Sequence, residues 1–290
     1  MKAVVVGGGA WGTAFSHLLR ERGHEVFLAT RATIDEAPYE DAELVVLAVP
    51  SHSFRKALGH VRGSAPILSL VKGLDPESGE RLSTLVRDRP VAVLSGPNHA
   101  EEVLAGLPGA TVIASEDESL ALWLQEAINS LVFRVYVNSD LIGVEICAAA
   151  KNVIALSAGG VDGLQLGDNA KAALITRGLV EMARLGEALG AEPETFSGLA
   201  GMGDLVVTCW HPTGRNRRAG ELIARGATPE EAKARIGQVV EGLTTAPGLR
   251  DLSHRIGVEM PITEGVCAVL AGLPLDDLLV SLMGRRPTGE

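Results

Sequence analysis

Residues 3–22 read AVVVGGGAWGTAFSHLLRER, and the fold of the first half of the chain follows from this stretch. Ala3–Val6 is a short β-branched run, the pattern of a buried parallel strand. Gly7, Gly9 and Gly12 fit the spacing G-x-G-x-x-G. The first glycine allows a tight turn, the second lets the backbone approach a pyrophosphate, and the third lets the following helix pack close to the strand. Thr13–Arg22 reads as that helix, stopped by Gly23, with an N-terminus that offers unpaired N–H groups to phosphate. A second strand, Glu25–Ala29, follows on schedule. Three glycines alone are a weak signal; strand, glycine loop, helix and strand in this order specify a dinucleotide-binding unit.

The end of the second strand discriminates between dinucleotides. An NAD-preferring site carries Asp or Glu there to hold the ribose hydroxyls, whereas this chain has Thr30-Arg31. Arg31 suits a 2′-phosphate, so NADPH is favoured over NADH, or both are accepted. Further strands are expected at Leu44–Val49, Pro66–Val71, Val91–Leu94, Thr111–Ala114 and Phe133–Val137. Ser51 is placed to cap a helix running to about Val61. Strands alternating with helical stretches indicate a doubly wound, mainly parallel sheet. Ligands bind beyond the carboxyl ends of such strands, where the Gly7 loop, Pro50-Ser51, Lys72 and Ser95-Gly96-Pro97 would gather.

After Asn138 no clear strand remains and the chain becomes helical. Residues 1–138 are therefore expected to form a Rossmann domain, and residues 139–290 an all-α domain with the site between the two. Leu141–Ala158 is an apolar helix ending at Gly159-Gly160, with only Glu145 and Lys151 charged. Glu145 lies about 240° round the helix from Lys151, so the two are not easy partners. A lysine on such a background is snorkelling, paired or functional, and a desolvated lysine can serve as a general base. Helices are also expected at 169–189, from Thr228-Pro229-Glu230-Glu231 with its capping-box pattern, and near 244–255, 262–270 and 275–283. Gly201–Leu205 reads as a turn carrying an acid, Asp204. Arg215, with Asn216 and the Gly214 amide, could form a phosphate clamp at a helix N-terminus.

The net charge of −10 argues against a general nucleic-acid or anionic-membrane binder. An anionic small ligand would need locally gathered Lys and Arg. Cys147, Cys209 and Cys267 form no CxxC motif or disulfide framework, which suits a reducing cytoplasm. The opening MKAVVVGGGAWG lacks basic, apolar and cleavage regions in order, so no signal peptide is expected, and no charge-free run is long enough for an integral membrane segment. Oligomeric state is open, a homodimer through the helical domain being one form that the sequence permits.

Together these motifs resemble the bacterial NAD(P)-dependent glycerol-3-phosphate dehydrogenase family. The resemblance rests on GGGAWGTA at 7–14, LAVPS at 47–51, VKG at 71–73, SGP at 95–97, AAAKNVIALSAG at 148–159, NAKAALITRGLVEMARLG at 169–186, GMGDLVVTC at 201–209, GRNRRAG at 214–220 and VVEGLTT at 239–245. It implies reduction of dihydroxyacetone phosphate to sn-glycerol 3-phosphate with NAD(P)H, for glycerophospholipid synthesis. It implies that Lys151 is catalytic, and that Lys72, Gly96, Asn98, Asp204, Gly214, Arg215 and Asn216 surround the phosphorylated substrate. Cofactor contacts would come from Ala10, Trp11, Arg31, Lys72, Ala100, Arg215, Val239 and Glu241 beside the glycine loop, with Asn152 and Asp204 orienting Lys151. Three features depart from the family pattern: Asn98 and Gly214 stand where a hydroxyl residue is usual, and the stretch from Ala32 to Asp41 is shorter. Ketopantoate reductase or a β-hydroxyacid dehydrogenase is the nearest alternative enzyme, and a nicotinamide-sensing protein without turnover is the alternative of a different class.

Overall fold

The structure is a computed structural model and describes residues 1–275 and 278. Its first half is a seven-stranded sheet: β1 Lys2–Val6, β2 Glu25–Ala29, β3 Leu44–Leu47, β4 Ile67–Ser69, β5 Val91–Ser95, β6 Gly109–Ala114 and β7 Phe133–Asn138. The order is β2-β1-β3-β4-β5-β6-β7, parallel throughout except where β5 meets β6. Helices α1 Ala10–Glu21, α2 Phe54–Leu58, α3 Ala100–Leu104 and α4 Glu118–Ile128 connect the strands. Apolar residues cover both sheet faces, with Val5, Phe15, Leu68 and Leu124 on one and Val4, Val45, Phe54 and Ile67 on the other. Over β1, β3, β4 and β5 both faces are buried, which explains why these strands are nearly continuous apolar runs; β7, at the edge, alternates, with Arg134 and Tyr136 exposed.

The chain turns from β2 back past β1 to β3, so a crevice opens at the carboxyl end of β1, where the glycine loop lies. Gly7 has φ 121°, a conformation that disfavours a side chain, and a Cβ there would strike the Ala48 carbonyl. A Cβ on Gly12 would strike the Gly7 carbonyl, so α1 starts where only glycine lets it sit against the loop.

The second half contains α5 Leu141–Gly163, α6 Asp168–Ala188, α7 Pro193–Ser197, α8 Asp204–Trp210, α9 Arg215–Ala224, α10 Pro229–Ile236, α11 Glu241–Ile256 and α12 Pro261–Leu270. Helix α5 is its axis, with α6, α8, α9 and α11 packed around it. By length and composition α5 could cross a membrane, but 89% of its apolar window is buried inside the protein, as in a core helix. A cluster of Val93, Val112, Ala114, Leu141, Val144 and Ala200 joins the sheet to the start of α5. This contact holds the start of α5 against β5 and β6.

Several sequence expectations are corrected. β3 ends at Leu47 and β4 covers only Ile67–Ser69. Helix α5 does not stop at Gly159-Gly160 but continues to Gly163. Those glycines serve close packing: a Cβ on Gly159 would enter the Arg217 carbonyl, and one on Gly220 would enter the Leu156 carbonyl. Ser51 does not cap a helix; it starts a short 3-10 turn before the five-residue α2. Gly201-Met202-Gly203 is not a turn but part of a π-helical segment, Leu199–Gly203, that runs directly into α8. The capping box of α10 is formed as expected by Thr228 and Glu231. The helix expected at 275–283 lies largely outside the described residues.

Candidate active site

A cleft of roughly 550 Å³ separates the carboxyl edge of the sheet from the helices. On the sheet side it is lined by Gly9, Ala10 and Trp11, by Pro50, by Lys72, and by Asn98, His99 and Ala100. On the helical side the lining includes Lys151, Asn152, Asp204, Thr208, Gly214, Arg215, Asn216, Arg218, Val239 and Glu241.

Lys151 is 5% exposed and Asp204 2% exposed. Lys151 Nζ donates to Asp204 Oδ1 and, at 3.0 Å, to Thr208 Oγ1. The other carboxylate oxygen, Oδ2, accepts from Lys72 Nζ at 2.9 Å and from Ser95 Oγ at 3.2 Å. Lys72 Nζ also donates to the Gly96 carbonyl at 3.2 Å and to Asn98 Oδ1 at 3.0 Å. Asn98 Nδ2 in turn donates to Thr111 Oγ1 at 3.0 Å. Two ammonium groups thus bracket one buried carboxylate, each with further acceptors.

Burial pushes the Lys151 ammonium down to about 7, against the attraction of Asp204 and with help from the charge of Lys72. Burial acts upward on Asp204, but Lys151 and Lys72 outweigh it and hold the carboxyl down at about 2. The result is an acid held ionised at neutral pH beside a lysine that can gain or lose a proton near neutrality, as acid–base catalysis requires.

A second network fixes the backbone around this cluster. Asn152 Nδ2 donates to the Lys72 carbonyl at 2.8 Å, and its Oδ1 accepts from Asn216 Nδ2 at 2.8 Å. Asn216 Oδ1 accepts from the Gly242 amide at 2.8 Å. Two side-chain amides therefore tie the loop after β4 to α5, α9 and α11. Across the cleft, Ser51 donates its amide at 3.0 Å and its hydroxyl at 2.6 Å to the Glu241 carboxylate.

The glycine loop can receive a dinucleotide. Gly9 is the N-cap of α1 and supplies no side-chain cap to its first N–H groups. A Cβ on Gly9 would meet nothing within 4 Å, so the backbone is open to the cleft there. A pyrophosphate fits this arrangement.

Comparison with known proteins gives the chemistry a family. Residues 140–278 match the model for the C-terminus of NAD-dependent glycerol-3-phosphate dehydrogenase, and residues 29–121 match the model for its N-terminus. The glycerol-3-phosphate dehydrogenase [NAD(P)+] of Moorella thermoacetica is 42% identical over 323 aligned positions, covering 99% of this chain and 96% of the relative. The chain belongs to the NAD-dependent glycerol-3-phosphate dehydrogenase family. The corresponding enzyme of Symbiobacterium thermophilum is 48% identical over 266 positions, covering 88% and 78% of the two chains. The crystal structure of glycerol-3-phosphate dehydrogenase from Coxiella burnetii superposes with a TM-score of 0.92 at 35% identity, covering 98% and 99%. A ketopantoate reductase from Ralstonia eutropha shares the fold alone, with a TM-score of 0.61 at 18% identity over 96% and 100%.

Within this dehydrogenase fold, the structure places most of the residues singled out by sequence around one cleft. Lys72, Gly96, Asn98, Lys151 and Asp204 form a single bonded cluster. Gly214, Arg215 and Asn216 stand at the N-terminus of α9, with Arg215 Nη1 donating to the Val239 carbonyl at 3.0 Å. Gly7 and Gly12 shape the loop that presents Gly9, Ala10 and Trp11. Arg31 is an exposed residue of the turn after β2 and is not among the residues lining the cleft. The Asn152 side chain makes no hydrogen bond to the Lys151 ammonium; it holds the Lys72 carbonyl and Asn216 instead.

Sequence reasoning missed Thr208, which lies one turn after Asp204 on α8. The spacing would have identified it had the helix been placed from Asp204 onward. It also missed His99, which lines the cleft and whose ring stacks on His211 at 4.3 Å. Burial, then the proximity of His211 and the two lysines, holds His99 down at about 4. No local pattern marks that pair.

Proposed function

We infer that this chain is a glycerol-3-phosphate dehydrogenase that interconverts dihydroxyacetone phosphate and sn-glycerol 3-phosphate with NAD(P)H. The observation that carries this reading is the buried Lys151, bonded to Asp204 and Thr208 in the cleft that the glycine loop opens onto.

When bound, the nicotinamide supplies or accepts the hydride at C2 of the substrate. Lys151, as an ammonium, donates a proton to the oxygen on C2 during reduction; its neutral amine takes the hydroxyl proton in the reverse direction. Such acid–base help is typically worth ~10²–10⁴-fold. Asp204 aims Lys151 and balances its charge, and Lys72 adds a second positive charge beside the reacting oxygen. Arg215, the open N-terminus of α9 and the second Nδ2 hydrogen of Asn216 hold the phosphate. This anchoring fixes C2 in place for reaction.

NADPH is favoured over NADH because Thr30-Arg31 stands where an NAD-preferring site has a carboxylate. The division into a cofactor domain, 1–138, and a substrate domain, 139–290, rests on the sheet ending at β7 and on the cleft between the two halves. The product would feed glycerophospholipid synthesis in the cytoplasm, a placement supported by three free, buried cysteines. Met202, Val206 and Trp210, exposed at four-residue spacing, support a homodimer through the helical half.

One spectrophotometric assay tests the function. The purified protein is expected to oxidise NADPH or NADH only when dihydroxyacetone phosphate is present, and Lys151→Ala to abolish this while still binding NADPH. Near-normal turnover of Lys151→Ala, or turnover of ketopantoate in place of dihydroxyacetone phosphate, would overturn the reading.

A further inference from the structure

Four cationic side chains line the cleft: Lys72, Lys151, Arg215 and Arg218. Three have partners already described. Lys72 and Lys151 share Asp204, and Arg215 donates to the Val239 carbonyl. Arg218 has no hydrogen bond or ion pair among the described residues, and its side chain is exposed. It stands three residues after Arg215 on α9, so the two guanidinium groups rise from the same side of the helix. Asn216, between them in sequence, points instead to the buried end of the cleft, where it meets Asn152 and Gly242. Arg215 reaches the Val239 carbonyl, so this end of α9 forms one wall of the cleft together with the segment Ile236–Val239. In a chain of net charge −10, an unpaired guanidinium in a cleft is a strong local attraction for an anion.

We propose that Arg218 is a cofactor-binding residue that takes the dinucleotide pyrophosphate from the helical side of the cleft. This rests on the proposed use of NAD(P)H. The substrate phosphate has its anchors in Arg215, the N-terminus of α9 and Asn216, which leaves Arg218, one turn further along α9, for another anion. The 2′-phosphate of NADPH belongs near the end of β2, but Thr30 and Arg31 do not line the cleft, whereas Gly9, Ala10 and Trp11 do. The phosphate that faces both the glycine loop and the α9 wall is therefore the pyrophosphate. The glycine loop offers backbone N–H groups to one side of it and Arg218 a charged fork to the other.

The test is direct titration of the protein with NADPH and with NADH, without substrate, followed by calorimetry or nucleotide fluorescence. Arg218→Ala is expected to weaken both nucleotides by the same factor, roughly tenfold, and Arg218→Lys to recover part of the loss. Lys233→Ala, which removes an exposed charge from α10 outside the cleft, is expected to leave both affinities unchanged. In steady-state assays the KM for dihydroxyacetone phosphate is expected to stay constant in Arg218→Ala. Wild-type affinity in Arg218→Ala, a loss confined to NADPH, or an effect confined to the KM of the substrate would each overturn the assignment. If the wild-type protein binds both nucleotides but does not reduce dihydroxyacetone phosphate, the proposed function falls and the Arg218 assignment stands. A wild-type protein that binds neither nucleotide overturns both.

Discussion

Lys151 and Lys72 lie on opposite sides of the cleft, yet their ammonium groups are held on the two oxygens of one carboxylate, Asp204. Lys72 comes from the loop after β4, Lys151 from the middle of α5, and Asp204 from the first turn of α8. The two positive charges repel each other and the shared negative charge offsets this. The proton on Lys151 therefore depends on the charges of both neighbours.

Asp204→Asn should shift the pH profile in a direction set by this geometry. Asp204 attracts the Lys151 ammonium and so raises a pKa that burial and Lys72 depress to about 7. Removing the carboxylate lowers it further. For the wild type, kcat/KM for ketone reduction is expected to fall as pH rises through about 7, because the ammonium is the required acid. In Asp204→Asn that fall should begin at lower pH, and the rise in the alcohol-oxidising direction should shift the same way. Profiles measured in both directions check this; an unmoved midpoint would separate Asp204 from the acid–base step.

Asn152→Ala should damage catalysis without touching Lys151. It removes the bridge from the Lys72 carbonyl to Asn216, and with it the tie between the cluster and the start of α9. Small displacements of reacting groups cost on the order of 10² in rate, so kcat should fall by about that factor and the KM for dihydroxyacetone phosphate should rise. NADPH affinity should change little. Steady-state kinetics with both substrates decide it, and a normal kcat/KM would show that the bridge is dispensable.

Gly220→Ala should be destabilising although alanine is the better helix former. The added methyl would meet the Leu156 carbonyl and force α9 away from α5. Overpacking of this kind costs roughly 1–3 kcal/mol, against a helix-propensity gain of about 1 kcal/mol. Because α9 carries Arg215 and Asn216, activity should fall along with Tm. A Tm above that of the wild type would mean that the two helices can move apart freely.

Glu145→Ala should destabilise the fold by roughly 3–5 kcal/mol, the usual loss when one partner of a buried ion pair is removed. Glu145 finds its partners outside its own helix. Its carboxylate accepts from Arg81 Nη1 at 2.7 Å, from the Ser83 amide at 2.9 Å and from Ser83 Oγ at 2.5 Å. Glu145→Gln keeps an acceptor and should lose less. Thermal or denaturant unfolding of both variants measures the difference, and equal losses would show that the acceptor kept by glutamine contributes nothing without the charge.

Much of this molecule is legible locally. Gly7, Gly9 and Gly12 have the spacing of a tight βα turn, and the apolar run Ala3–Val6 before them and the helix after them make that reading specific. Lys151 is conspicuous because its neighbours on α5 are apolar. Features that misled were also local. Gly159-Gly160 looked like a helix end because glycine usually ends helices; here it marks the crossing of α9 over α5, which depends on Arg217 and Gly220 far along the chain. Ser51 looked like a cap, but its hydroxyl is taken by Glu241.

By itself the sequence determined the strand-and-helix order, the dinucleotide loop and the short set of residues able to do acid–base or phosphate chemistry, because each of these depends on neighbours a few positions away. Tertiary structure alone decided the partners within that set. It put Asp204 between two lysines, sent Asn152 to Lys72 rather than to Lys151, gave Glu145 to Arg81 and left Arg218 lining the cleft with no partner among the described residues. The physical reason is that the charge and hydrogen-bond state of a buried side chain is set by what packing brings within about 3 Å of it. In this chain those groups are separated by tens of residues and meet only once α5, α8 and α9 are packed against the edge of the sheet.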